Sequence, residues 1–322
     1  SFIGAATPRI HVLGYEDRAP SPDELERMKE LTAQAMAEGA MGVSSSLIYM
    51  PGSFSSTGEL TALASVAAQH GCIYISHLRS EGNRFLEALD EFLEIARGSG
   101  ARSEIYHFKA AGEVNYGKLE EAIAKIEKAR GEGLHVTADM YPYAAAATGL
   151  YAAMPTWVQE GGFDAWVERL RDPAVRKRLE REMNEPGDGW ENFFYLTGPQ
   201  NMRLVAFKND SLKTLTGMTL AQVAERNGTS PAVTAMDLVV RDGSRVETVY
   251  FLMSEEQVRR KVSLPWVSFG SDAESSAPEG VFLMASTHPR AYGTFARVLG
   301  YYSREQGLLS LAEAVRRMSG LP

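Results

Sequence analysis

The chain has one cysteine, Cys72, in 322 residues. A single thiol excludes an internal disulfide and any multi-cysteine metal cage within this sequence. Its place at the head of the run CIYIS reads as a small buried hydrophobe. No apolar run approaches the roughly 20 residues that a membrane-spanning helix needs. The opening SFIGAATPRIHVLG lacks the basic and apolar regions of a signal peptide. A cytoplasmic protein is expected, with any targeting segment upstream of residue 1. Positive charge is also scarce, since 33 Lys and Arg stand against 41 Asp and Glu for a net charge of -8. That balance argues against a nucleic-acid footprint, which needs clustered basic residues. The expected partner is a small molecule. The first residue is Ser, and the last ones, RRMSGLP, stop just after an amphipathic helix, so both ends read as cut.

A hydrophobic content of 44% with 23% charged residues places the chain among globular proteins rather than disordered ones. Strand-like runs alternate with helical patterns. AMGVSSSLIY (40 to 49) leads to TGELTALASVAAQHG, where Thr57 can cap the helix and Gly71 can stop it. CIYISH is followed by RFLEALDEFLEIARGSG, in which Phe85, Leu86, Leu89, Phe92, Leu93 and Ala96 keep helical spacing before the terminator Gly98 to Gly100. SEIYHFK leads to the helix KLEEAIAKIEKARGEG, and HVTADMYPY (135 to 143) supplies a further strand. Apolar and β-branched strands joined by helices at intervals of about thirty residues predict a parallel sheet of right-handed βαβ units. From about 150 to 262 the rhythm breaks into a mainly helical insertion that also holds the strands RLVAFK and TVYFLMS. It resumes at LPWVSFGSD (264 to 272), followed by two helices.

Two of the six histidines, His77 and His107, close strand-like runs in consecutive units. Asp139 and Asp272 fall near other strand ends. In a (β/α)8 barrel the strand C-termini open into one cavity, so groups placed there can act together. Imidazoles from adjacent strands can hold one Zn²⁺, which lowers the pKa of a bound water towards about 7. A nearby strand-end carboxylate can then accept its proton. A lone strand-end histidine is more often structural, but two in equivalent places favour ligation. Asp272 reads equally as an N-cap or Asx-turn residue. His11 lies in a loop-like segment, His70 at a helix end and His135 at the start of a strand, and none of these is assigned to chemistry.

The motifs GVSSSLIYMPG, ISHLRSEG, IYHFKAAGEVNYGK, ADMYPY, WVSFGSD and HPRAYGTFARVLGYYSREQGLLSLAEAVRRMSGLP together resemble the N-acyl-D-amino-acid deacylases, or D-aminoacylases, of the amidohydrolase superfamily. The resemblance covers nearly the whole chain in order. It implies a zinc-dependent TIM barrel with a small β-sandwich formed from both chain ends, hydrolysing N-acyl-D-amino acids to a carboxylate and a free D-amino acid. It places His77 on the fifth strand and His107 on the sixth as metal ligands, and Asp272 on the eighth as the catalytic acid/base. Tyr49 and Lys109 are implied at the substrate, and Arg290 as the fork that holds the substrate carboxylate. Tyr141 and Thr148 are expected to line the pocket. The duller readings are a loop aromatic for Tyr49 and solvated charges for Lys109 and Arg290.

Two departures from that pattern bear on the expectation. The family's His-x-His on the first strand and its cysteine or lysine ligand have no counterpart, because matching motifs begin near the third strand. Residues 1–322 are therefore expected to form a partial TIM barrel, about strands 3 to 8, with most of the β-sandwich absent. Such a piece has open sheet edges and is expected to be poorly stable or inactive alone. The alternatives are a cyclic-amide hydrolase of dihydroorotase or hydantoinase type, and a non-catalytic fragment.

Overall fold

The computed structural model describes residues 1–187 and 189–322. Two compact units emerge. The first comprises Ser1–Ala110, Gly117–Asp139 and Trp266–Ser268; the second comprises Ala111–Tyr116, Met140–Pro265 and Phe269–Pro322.

The first unit is an α/β layer. Strands β1 (Ile3–Gly4), β2 (Gly42–Ser46), β3 (Ile73–His77), β4 (Arg102–Ile105) and β5 (Val136–Met140) pair successively in parallel. The sheet continues through β9 (Val267–Phe269) in the order β1-β2-β3-β4-β5-β9. Helices α1 (Ala6–Leu13), α2 (Pro22–Ala37), α3 (Thr57–Gln69), α4 (Phe85–Ser99) and α5 (Lys118–Gly131) make the crossovers.

The helices start and stop for local reasons. α2 opens on a capping box in which Ser21 and Glu24 satisfy each other's backbone N–H groups, with Pro22 just inside. The cap of α3 is Ser56 rather than the expected Thr57, because the extended Ser56 side chain accepts from the Glu59 N–H at 3.2 Å. α4 buries Phe85, Leu89, Phe92, Leu93 and Ala96 of its predicted stripe, leaves Leu86 half-buried, and ends on Gly100 at φ 68. α1 replaces the expected loop and carries His11 in its last turn. Pro8 is tolerated there because the first-turn N–H groups of a helix have no helical partner.

Between the layers, Leu60, Leu63, Ala64 and Ala67 of α3 and Leu119, Ala122, Ile123 and Ile126 of α5 are buried, as are Val43, Tyr74, Ile105 and Val136 of the strands. Gly42 is required where β2 meets β3, since a Cβ there would lie 2.0 Å from the Ile73 carbonyl oxygen. Cys72 precedes β3 and is half-buried rather than buried, its Sγ 3.5 Å from the Ala40 carbonyl.

The second unit is built on three antiparallel strands, β6 (Ala146–Gly149), β7 (Met202–Ala206) and β8 (Glu247–Tyr250), in the order β6-β8-β7. Helices at Phe163–Arg169, Pro173–Met183, Leu220–Asn227 and Pro231–Asp242 supply the expected helical content. The expected helix near 292 to 306 begins as α-helix at Arg290–Arg297 and continues as π-helix over Val298–Glu305.

Candidate metal centre and active-site residues

The two candidate metal ligands stand at or just beyond the ends of adjacent parallel strands. His77 is the last residue of β3. His107 lies two residues beyond β4, not at the end of a longer strand, and its backbone is left-handed at φ 35. For a residue other than glycine this conformation costs about 1–3 kcal/mol and persists only where surroundings hold it. The Asp139 carboxylate accepts the His107 N–H at 2.6 Å, and the Asp139 carbonyl accepts from Phe108 N at 2.9 Å, which supplies that hold. Asp139 is in turn hydrogen-bonded to Glu104, whose carboxyl is pushed up by burial.

The two imidazoles meet edge to face, with ring centroids 4.5 Å apart at 80°. His77 Nδ1 lies 2.9 Å from His107 Nε2, and both residues are buried. Burial pushes the His77 imidazole down to about 3. Two facing ring nitrogens need a proton or a cation between them, because two lone pairs repel. The donor set therefore fits a metal ion.

Glu81, four residues after His77, completes the group of potential ligands. Its Oε1 is 2.9 Å from His107 Nδ1 and 2.6 Å from Lys109 Nζ, and its Oε2 is 3.8 Å from His77 Nε2. Burial alone would raise this carboxyl, but the Lys109 ammonium and the two histidines outweigh it and hold it below the usual carboxylate range. Lys109 is thus a buried ion-pair partner, not a solvated charge. Tyr49 sits beside His77 with ring centroids 5.7 Å apart. The first unit so brings Tyr49, His77, His107 and Lys109 together. Glu81 and Asp139 join them. Glu81 was missed although its signal, a carboxylate four residues after a strand-end histidine, was in view.

The second unit gathers the other candidates. Asp272 begins no helix; it sits at φ 48 with its Oδ2 2.6 Å from Arg290 Nη1. Arg290 is buried, donates from Nη2 to the Ala147 carbonyl at 3.2 Å, and lies 4.6 Å above the Tyr141 ring. His288, not singled out from the sequence, positions it: His288 Nδ1 accepts from the Arg290 N–H at 2.9 Å. Burial, aided by the Arg290 charge, pushes His288 down to about 4 against a backbone hydrogen bond to Ala145. Thr148, Glu247, Arg245, Asp272, His288 and Arg290 line a cavity of about 550 Å³. Tyr141 is buried beneath the Arg290 guanidinium.

No protein-family model matches the chain. It is 31% identical over 322 residues, its whole length, to the N-acyl-D-glutamate deacylase of Alcaligenes xylosoxydans xylosoxydans, of which it covers 55%. It is 29% identical over 320 residues to the D-aminoacylase of the same organism, covering 99% of this chain and 54% of that protein. Among solved structures, the N-acyl-D-glutamate deacylase of Bordetella bronchiseptica, complexed with zinc and a phosphonate inhibitor that mimics the tetrahedral intermediate, superposes with a TM-score of 0.75. That match has 28% identity and covers 98% of this chain and 55% of the other. The chain thus spans about half the length of the curated relatives it matches. Its resemblance to the N-acyl-D-amino-acid deacylases holds from end to end, and it shares their α/β fold.

Proposed function

We propose that this chain carries the metal-binding and substrate-binding residues of an N-acyl-D-amino-acid deacylase, hydrolysing the amide of an N-acyl-D-amino acid to a carboxylate and a D-amino acid. The observation that carries the reading is the buried pair of imidazole nitrogens 2.9 Å apart, in a chain similar throughout to such enzymes. His77 and His107 are the residues that would hold zinc, which supplies Lewis acidity and a water acidic enough to ionise near neutral pH.

The chain's own groups do the rest. Asp272 is the proton carrier, taking a proton on a carboxylate oxygen and returning it to the departing amine. In the structure Asp272 Oδ2 occupies the Arg290 guanidinium at 2.6 Å from Nη1. A substrate α-carboxylate that takes its place on the Arg290 fork releases Asp272 for proton transfer, which couples binding to activation. Tyr49 and Lys109 serve the substrate, with Thr148 on the wall of the cavity and Tyr141 beneath Arg290.

The six-strand sheet supports reading these strands as numbers 3 to 8 of a (β/α)8 barrel. His77 is on the third strand of the series and His107 follows the fourth, and β6 to β8 lie in the chain between β5 and β9, where the insertion was expected.

The test is turnover of N-acetyl-D-glutamate and N-acetyl-L-glutamate by the zinc-loaded protein, with and without Asp272→Ala. The D-isomer alone should be cleaved, and the variant should keep its zinc while losing turnover by at least about a hundredfold. Near-normal turnover of the variant, or hydrolysis of hydantoins in preference to linear amides, overturns the reading.

A further inference from the structure

Glu81 is buried to 2% exposure beside the histidine pair. The nitrogens that face each other are His77 Nδ1 and His107 Nε2. The nitrogens nearest Glu81 are the opposite ones, His107 Nδ1 at 2.9 Å and His77 Nε2 at 3.8 Å. The carboxylate therefore stands behind both rings rather than between them. His77 Nε2 is buried and makes no hydrogen bond among the described residues, so a proton on it has Glu81 as its neighbouring acceptor.

His107 Nδ1 has two competing neighbours. Lys109 Nζ, 2.6 Å away, can only donate; Glu81 Oε1, ionised, can only accept. If Nδ1 accepts from Lys109, the ring proton must sit on Nε2, and His107 cannot ligate from that nitrogen. If Nδ1 donates to Glu81, the Nε2 lone pair is free and points at His77. A histidine that binds metal through one nitrogen and gives the other N–H to a carboxylate is fixed in both orientation and tautomer.

Resting on the deacylase reading above, we propose that Glu81 is a positioning residue and not a metal ligand: it stands behind both imidazoles and leaves His77 Nδ1 and His107 Nε2 as the metal-binding atoms. Lys109, bonded to Glu81 Oε1 at 2.6 Å, keeps that carboxylate charged in its buried place. The Ser80-Glu81-Gly82 turn after β3 thus has a task separate from substrate contact.

The 322-residue chain, labelled with ¹⁵N-histidine and loaded with ¹¹³Cd²⁺, reads the arrangement directly. Cadmium coupling is expected at His77 Nδ1 and His107 Nε2, with protons on His77 Nε2 and His107 Nδ1. Coupling at either opposite nitrogen overturns the proposal while leaving a metal centre. Absence of bound cadmium removes the metal reading itself and this proposal with it.

Affinity provides the second arm. Glu81→Gln, which keeps an acceptor for the ring proton, should weaken zinc less than Glu81→Ala, which should cost about 10- to 100-fold. The double variant Glu81→Ala, Lys109→Met removes the buried charges together and guards against misfolding. It should remain about 10- to 100-fold weakened, with an unchanged Co²⁺ absorption spectrum. Wild-type affinity in the double variant, or a changed cobalt coordination spectrum, overturns the proposal.

Discussion

At the scale of single residues, three positions hold more than packing. His107 and Asp272 both have left-handed backbones, at φ 35 and 48, and both are candidate site residues. His288 is buried and uncharged between Arg290 and Ala145. Its folded-state value of about 4 lies below the ordinary value of 6.5. The unfolded chain therefore binds this proton first, so the contribution is complete above pH 6.5 and is lost as pH falls towards 4. The loss amounts to about 3 kcal/mol at most. Urea unfolding of His288→Gln between those limits should show a flatter pH dependence than the parent; an unchanged slope would remove His288 from the account. Arg290→Ala should raise KM for N-acyl-D-amino acids by roughly 10- to 100-fold, the worth of a charged hydrogen bond, measured by steady-state kinetics.

These residues were unequally legible. His77, His107 and Asp272 stand out as candidates because strand-end placement and motif coincide. Glu81 and His288 are distinguished by the partners they meet in space, and neither periodicity nor residue type tells which nitrogen a side chain will face. The Arg290–Asp272 ion pair was equally hidden, since it joins positions eighteen apart through an irregular segment.

At the scale of elements, α1 and α3 are joined by a buried ion pair. Arg9 Nη1 meets Glu59 Oε2 at 2.6 Å, with side chains 0% and 1% exposed, and Ser55 donates to the other Glu59 oxygen at 2.8 Å. Removing one partner leaves an uncompensated charge in low dielectric. Arg9→Met should destabilise the protein by about 3–5 kcal/mol, whereas Arg9→Met, Glu59→Leu should regain most of it. Chemical denaturation of both variants checks this. Helical stripes such as that of α4 were readable because burial follows a 3.6-residue period. Element ends were less so: Thr57 and Ser56 are both good caps, and only the extended backbone of Ser56 decides between them. The start of α2 is marked by Ser-Pro-Asp-Glu, while the π-helical run after Arg297 has no sequence period that distinguishes it.

At the scale of the whole molecule, the candidate metal ligands and the Arg290 cavity belong to separately compact units. Metal binding to the native state should add about 2.7 kcal/mol of stability when free zinc is a hundred times its dissociation constant. Hydrogen exchange should show that gain first in β3 and β4, which lead directly into His77 and His107. Equal protection gained throughout Pro231–Asp242 of the second unit would show instead that the ion acts on global unfolding.

Cys72 gives that experiment a ruler. It is the one thiol in the chain and lies next to the start of the strand whose last residue is His77. Five residues of extended chain at about 3.3 Å each put it roughly 16 Å from the histidine. A nitroxide attached there would sense a paramagnetic Cu²⁺ bound by the imidazole pair, and pulsed resonance would report occupancy without an engineered cysteine.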